Sequence, residues 1–196
     1  MLDKYLVDTI ENDKYVINIY QDEFPENPRE WDNLGTMVCF HSRYNLGDKH
    51  DFSDSDELLD YLKDNKVVQL PLYLYDHSGI TMQTSSFCDY FDSGQVGIIF
   101  VTYETLRKEY GWKYITKARK ERIILYLTDE VKTYDQYLTG DIYGYQVVCK
   151  YCNEIIDSCW GFFGRNWKKN GLLDQAYTIC ECENSKQLAF PELMEV

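Results

Sequence analysis

The sequence feature that most constrains the fold is the nearly continuous apolar run VGIIFVT at residues 96–102. The run has the length of a strand and is rich in the β-branched residues Val and Ile, which favour extended structure. Such a run is typical of a strand that is covered on both faces. We therefore predict that residues 96–102 form the central strand of a sheet and anchor the core.

The rest of the chain mixes strand and helix patterns without a regular alternation of the two. Helix patterns begin near Asp54 or Ser55, near Thr102 or Tyr103, and at Thr116. Strand patterns occupy residues 15–20, 36–40, 143–149 and 155–160, and a hairpin within 66–84. The mixture predicts an α+β protein with a mostly antiparallel sheet, one long helix and two or three short helices.

Two details sharpen this prediction. The longest helix pattern runs from Thr116 to Gly140, and a polar helix or loop is expected to follow the last strand. Pro71 predicts an edge strand or an irregular stretch, because proline cannot donate to a ladder of backbone hydrogen bonds. The inward face of the longest helix is predicted from apolar residues at helical spacing: Ile123, Leu127, Val131 and Tyr134.

Length and composition predict a single domain over residues 1–196. The chain is 44% hydrophobic, which suffices for a packed core, and it contains no internal repeat or linker-like stretch. It also contains no apolar run long enough to span a membrane and no signal-peptide pattern, so a cytoplasmic location is expected. The seven cysteines are odd in number and are expected to be reduced there.

The charge balance indicates which partners are compatible with the protein. Asp and Glu total 33 against 20 Lys and Arg, a net charge of −13, which repels nucleic-acid phosphates and favours a basic protein partner. The alternative is that the acidity serves solubility and that the second of the two acidic groups is a solvated helix face with its cap. The candidate partner-binding residues are Asp22, Glu23 and Glu26, and Asp51, Asp54, Asp56, Glu57 and Asp60.

The cysteines form the sharpest local pattern. Cys149 and Cys152 have C-x-x-C spacing, and Cys180 and Cys182 have C-x-C spacing. Four thiolates of this kind are compatible with a structural zinc site, whereas the alternative is that they are reduced thiols packed as small apolar residues. No other cofactor is expected from the sequence.

Several common catalytic motifs are absent from the sequence. It contains neither of the glycine-rich phosphate-binding patterns nor the G-x-S-x-G pattern of hydrolases. His41, His50 and His77 have no motif partner at fixed spacing, and His77 is expected to be a polar turn residue. Cys39 and His41 are a conceivable nucleophile pair, although their spacing alone does not indicate a reactive thiolate.

Five sequence blocks carry a resemblance to a known group of proteins. They are NPREWDNLGTMVCFHSRYNLGD at 27–48, LPLYLYDHSGITMQT at 70–84, DSGQVGIIFVT at 92–102, TYDQYLTGDIYGY at 133–145 and DSCWGFFG at 157–164. The chain resembles small uncharacterised proteins of bacteriophages and bacterial mobile elements over most of its length. The paired cysteines at 149, 152, 180 and 182 lie outside these blocks.

The resemblance implies a set of polar and aromatic positions that deserve inspection. If they converge on one pocket, they would favour an enzyme or a small-ligand or metal-binding protein of phage metabolism. These pocket candidates are Trp31, Asp32, Asn33, His41, Arg43, Tyr44, Asp48, Asp76, His77, Asp135, Tyr137, Asp157 and Trp160.

Acidity and the phage resemblance together suggest a function. The chain looks similar in size and charge to anti-CRISPR proteins that act on type II effector nucleases. We therefore expect an inhibitor of a host defence system that occupies the basic nucleic-acid groove of such a nuclease. The alternatives are the enzyme or ligand-binding protein described above and a structural or accessory phage protein, so whether the protein is an enzyme stays open.

Overall fold

The computed structural model describes residues 5–89 and 91–189, with side chains described as far as Glu181. Its elements confirm the α+β class and the antiparallel pairing of the strands. Among the described helices, none is long and apolar enough to cross a membrane. In chain order the elements are β1 (Leu6–Glu11), β2 (Tyr15–Gln21), β3 (Thr36–Cys39), α1 (Ser55–Asp64), β4 (Val67–Asp76), β5 (Ile80–Gln83), β6 (Ser93–Thr102), α2 (Tyr103–Tyr110), α3 (Lys117–Thr139), β7 (Ile142–Cys149), β8 (Ile155–Phe163) and α4 (Leu172–Ala189).

The chain divides into two compact units, each with its own sheet and core. The first unit contains residues 1–26 and 140–196, and the second contains residues 27–139. The strands therefore form two four-stranded sheets where one mostly antiparallel sheet was predicted. Whether the two units unfold together as a single domain stays a prediction.

The sheet of the first unit has the order β1-β2-β7-β8. β2 pairs with β7 along its whole length, from Tyr15 opposite Cys149 to Gln21 opposite Tyr143. Alternating side chains of these two strands, such as Ile17 and Val147, are buried together with the first turns of α4. Chain segments from both ends of the sequence are therefore needed to build this core.

The sheet of the second unit has the order β3-β6-β4-β5, which confirms that residues 96–102 lie in an interior strand. On one face, Ile99 and Val101 pack against the predicted inward residues of α3, all of which are buried. On the other face, Ile98 and Phe100 pack with Leu58 of α1. The sheet is thus covered by α3 on one face and by α1 on the other, as a nearly continuous apolar strand requires.

Pro71 does not lie on an edge strand, because β4 pairs with both β6 and β5. However, β5 covers only the stretch of β4 from Tyr73 to Asp76, so Pro71 lies in the half of β4 that has β6 as its one neighbour. The register of β4 against β6 also shifts between Leu72 and Tyr73. The irregular stretch was therefore predicted correctly and the edge position was wrong, since a proline needs one uncovered side and not an edge strand.

Candidate functional site

The clearest candidate surface lies on α1 and on the segment that precedes it. All five acidic residues predicted here have exposed side chains, while Leu58 and Leu62 point into the core. Helical periodicity separates the two sets, because the leucines recur at i and i+4 on the inward face. We define the α1 acidic face as Asp51, Asp54, Asp56, Glu57 and Asp60.

Two carboxylates of the α1 acidic face cap the helix. The side chain of Asp54 accepts a hydrogen bond of 2.9 Å from the backbone N–H of Glu57, and the Glu57 carboxylate accepts one of 2.7 Å from the N–H of Ser53. The arrangement is related to a capping box, although Glu57 accepts from the residue before the N-cap Asp54 and not from Asp54 itself. Asp54 and Glu57 are therefore structural, and Asp51, Asp56 and Asp60 are left as the candidates for binding a partner.

The local field of this helix is negative. Lys63 forms an exposed ion pair of 2.7 Å with Asp60. The pKa of Lys63 is raised, first by its hydrogen bond to Asp60 and then by the charges of Asp60, Asp56 and Asp64. A cation brought to this surface is thus stabilised by several carboxylates at once, as a basic protein partner would be.

The other predicted acidic group belongs to the first unit. Asp22 is half-buried and accepts a hydrogen bond of 3.1 Å from the N–H of Phe24, while Glu23 accepts one of 2.8 Å from the hydroxyl of Tyr5. Glu26 is exposed. Since this group and the α1 acidic face lie in different units, we treat them as separate candidate surfaces.

A buried ion network organises residues 27–48. The guanidinium of Arg29, whose side chain is 3% exposed, bonds Asp48 at 2.7 Å and Glu130 of α3 at 2.9 Å, and donates to the carbonyl of Gly35 at 2.7 Å. Asp48 also accepts from the N–H of Met37, and Glu130 accepts from the N–H of Gly35. The polar partners satisfy one another, so Asp48 holds the fold of this segment instead of lining an open pocket.

Residue-by-residue reasoning missed Arg29 and Glu130. Arg29 lies inside the resembling block at 27–48, but its partner Glu130 is on α3, in a part of the sequence where charged residues are common. The pKa of Arg29 is raised, because its bonds to the two carboxylates outweigh the opposing and largest effect, the loss of hydration on burial. No local pattern could have paired residues so far apart.

The remaining pocket candidates of the second unit occupy several places. Trp31, Asp32 and Asn33 line a cleft of about 290 Å³ beside Tyr126 of α3. His41 and Tyr44 stack on each other and line a separate open cleft of about 570 Å³, together with His50. The sequence motif therefore does not converge on one pocket.

Five further candidates make separate contacts within the second unit: Arg43, Asp76, His77, Asp135 and Tyr137. Asp76 accepts hydrogen bonds from the side chains of Arg43 and Tyr44. His77 lies 3.0 Å from Asp92 in an exposed turn. Asp135 of α3 accepts from the hydroxyl of Thr81 at 2.6 Å and from the N–H of Met82 at 2.7 Å, so it ties the helix to β5. Tyr137 packs at the margin of the core between α3 and the sheet of the second unit.

Asp157 and Trp160 lie in the first unit. The Asp157 carboxylate accepts a hydrogen bond of 2.9 Å from the hydroxyl of the buried Tyr145, and burial, followed by this bond, raises the pKa of that tyrosine. Trp160 contacts the ring of Tyr20 at a centroid distance of 6.2 Å. Both residues support the sheet of the first unit.

Cys39 is unsuited to act as a nucleophile. Burial, and to a smaller extent the charge of Asp48, raises the pKa of its thiol from 9.0 to about 12. A thiol of this kind stays protonated near neutral pH and has almost no thiolate for attack. The Cys39–His41 pair therefore carries no catalytic proposal.

The four candidate zinc ligands are only partly described. Cys149 and Cys152 flank the turn between β7 and β8, and Cys180 is buried against the core of the first unit. The side chain of Cys182 lies outside the described residues. Among the side chains that are described, no three His, Cys, Asp or Glu residues are grouped so that they could hold a metal ion, and zinc binding stays a prediction.

Comparison with known proteins adds no assignment to these sites. No protein-family model, curated protein or solved structure matches the chain.

Proposed function

We propose that the protein is a stoichiometric inhibitor that binds a basic, nucleic-acid-binding protein of a host defence system through the α1 acidic face. The observation that carries this proposal is the exposure of all five of its carboxylates on a chain whose net charge is −13. In its narrowest form, the proposal is an anti-CRISPR protein that acts in the host cytoplasm on a type II effector nuclease.

The physical basis is competition for a groove of lysine and arginine side chains. Such a groove holds the phosphates of guide RNA and target DNA by charge. Asp51, Asp56 and Asp60 are exposed and are not used to cap α1. Asp51 and Asp56 can pair with the same cations directly, and Asp60 can do so by exchanging its exposed ion pair with Lys63. Opposite charge also speeds association, and this effect weakens as ionic strength rises.

The enzyme interpretation has less support. It required the motif residues to surround one reacting centre, whereas they are distributed over two clefts, several pairwise contacts and a buried ion network. Most of these contacts stabilise the fold. We therefore place the function on the exposed surface of α1.

The test is a plasmid-interference assay with an active type II nuclease, in the presence and absence of the protein. The key variant is Asp51→Lys/Asp60→Lys, which reverses two carboxylates and leaves the capping residues Asp54 and Glu57 unchanged. Its matched control is Glu109→Lys/Glu121→Lys, which makes the same change in net charge at exposed positions on α2 and α3.

We expect the wild-type protein and the control to protect the plasmid and the α1 variant to lose protection. Binding of the wild type to the nuclease should weaken with added salt, and the α1 variant should have a shallower salt dependence. Equal loss in both variants would assign the effect to net charge alone. Cleavage that is unimpaired across several nuclease orthologues would contradict the anti-CRISPR proposal.

A further inference from the structure

The turn between β7 and β8 brings two thiols together. Cys149 ends β7, and the N–H of Asn153 donates to the carbonyl of Cys149 at 3.0 Å, which closes one helical turn around the C-x-x-C segment. Residues at i and i+3, here Cys149 and Cys152, are neighbours across such a turn. A disulfide needs Cβ atoms about 3.5–4.5 Å apart, so a small backbone adjustment within the turn suffices to join them.

The turn is fixed by contacts on both sides. The N–H of Cys149 donates to the carbonyl of Glu154 at 2.9 Å, and the N–H of Lys150 donates to the carbonyl of Lys14 at 2.8 Å. The side chain of Lys150 also pairs with Glu11 at 2.7 Å. The two cysteines are therefore held close by a folded backbone before any bond forms between them.

The two sulfur atoms differ in their surroundings. Cys149 is 7% exposed, and its thiol interacts with the thiol of Cys152. Cys152 is exposed, and its sulfur also lies 3.7 Å from the Glu154 carboxylate. One thiol is thus open to a reagent, and the other is shielded beside it.

We propose that Cys149 and Cys152 form a redox-active dithiol that closes to a reversible disulfide on reaction with a small-molecule disulfide such as glutathione disulfide. This inference is independent of the proposed inhibitor function. It also differs from the zinc prediction, since it needs neither Cys180 nor Cys182.

The reaction has two exchange steps. The Cys152 thiol loses its proton to solvent, its sulfur attacks one sulfur of glutathione disulfide, and a glutathione thiolate leaves and takes up a proton. The Cys149 thiol then loses its proton to solvent, and its sulfur attacks the sulfur of Cys152 in the mixed disulfide and releases the second glutathione thiolate, which is protonated in turn. The protein loses two electrons and two protons, and one glutathione disulfide becomes two glutathione molecules.

The position of Lys150 provides a direct assay, because trypsin cleaves between the two cysteines. The full-length protein is treated with glutathione disulfide in the presence of a metal chelator, the remaining thiols are blocked, and the tryptic peptides are analysed by mass spectrometry without reduction. We expect the peptide that ends at Lys150 to remain joined to the peptide that begins at Tyr151, and dithiothreitol to separate them.

Variants identify the partner, because the second peptide contains both Cys152 and Cys159. Cys159→Ser should keep the link and Cys152→Ser should lose it. Cys149→Ser should instead retain one glutathione on Cys152, since the resolving thiol is missing. The yield of linked peptides from the native protein should exceed the yield from protein in concentrated urea by roughly tenfold. This is the factor that corresponds to the entropy cost of ordering a single backbone residue.

Three results would overturn the proposal. They are the absence of linked peptides in the native protein, a link that survives Cys152→Ser but not Cys159→Ser, and equal joining in native and urea-treated protein. The first would show that the turn does not close, the second that Cys149 pairs with Cys159, and the third that folding contributes nothing.

Discussion

At the scale of single residues, Arg29 is the side chain on which residues 27–48 depend. Arg29→Ala would leave two buried carboxylates without their cation, so we expect the free energy of unfolding to fall by about 3–5 kcal/mol. Arg43→Ala is the control, because Arg43 is 67% exposed and its ion pair with Asp76 should contribute less than about 1 kcal/mol. Urea unfolding of both variants measures the difference, and similar losses would contradict the structural role given to Arg29.

Cys39 supplies a prediction about pH. Its pKa is raised from 9.0 to about 12 in the folded protein, so the folded state holds the thiol proton after the unfolded state has lost it. The stabilising contribution is complete below pH 9 and is lost as the pH rises from 9 to 12, by about 1.4 kcal/mol per pH unit.

Cys39→Ala tests this prediction, because it removes the titrating thiol and leaves the other groups in place. The difference in the free energy of unfolding between wild type and variant should be constant from pH 7 to pH 9 and should shrink above it. Comparison with the variant also cancels the titration of the buried Tyr145, whose pKa is raised as well. A difference that stays constant to pH 11 would exclude the shift.

Sequence reasoning located the important residues better than it assigned their roles. Asp48 and Asp135 were predicted as pocket residues, and both instead accept hydrogen bonds from the main chain or from buried partners. A carboxylate in a motif looks the same in the sequence whether it faces a ligand or caps a backbone N–H. The partners that decide its role are brought together by the fold and were not predictable from spacing.

At the scale of elements, β6 packs so closely against β3 that Gly97 leaves no space for a side chain. A Cβ atom added to Gly97 would lie 2.0 Å from the carbonyl oxygen of Val38 in β3, whereas one added to Gly94 would meet nothing within 4 Å. We expect Gly97→Ala to lower the free energy of unfolding by about 1–3 kcal/mol, because β3 must move away from β6. Gly94→Ala should change stability by less than about 0.5 kcal/mol. Equal thermal unfolding of the two variants would contradict the close approach of β3 and β6.

Elements were predicted best where a strong local signal marked them. The Thr102 side chain caps α2 as expected, Gly111 ends α2 in the left-handed conformation, and the inward residues of α3 follow from their spacing. β1 was missed, because LVDTIE is largely exposed and has no apolar alternation. Its strand conformation comes from pairing with β2, which local propensity does not record.

At the scale of the whole molecule, the second unit is continuous in sequence and the first is not. Both faces of the β3-β6-β4-β5 sheet are covered by helices from residues 27–139. We expect residues 27–139 expressed alone to fold cooperatively, with an antiparallel α+β circular dichroism spectrum and a sigmoidal urea transition. Residues 1–26 expressed alone should stay unfolded, because β2 then lacks β7. A fragment 27–139 without a cooperative transition would show that the second unit needs the first.

The division into two sheets was beyond the reach of the sequence. Local patterns identify strands, but β2 and β7 are separated in sequence by residues 27–139. No turn joins them directly and fixes their register. Their pairing is decided by burial of Ile17, Ile19, Tyr145 and Val147 in one core. The prediction of one sheet followed from the mixture of strand and helix patterns, which does not specify how the strands are divided between sheets.

Because β2 pairs with β7, the sheet of the first unit can be completed only late in translation. A ribosome that adds about 5–20 residues per second delivers β2 early and β7 only after residues 27–139, a delay on the order of ten seconds. During that interval β2 can pair with β1 but its apolar side has no core to join, while the second unit has all its strands once β6 is made. The second unit can therefore fold before the first unit is complete. We expect β2 to be the segment that a chaperone binds during translation.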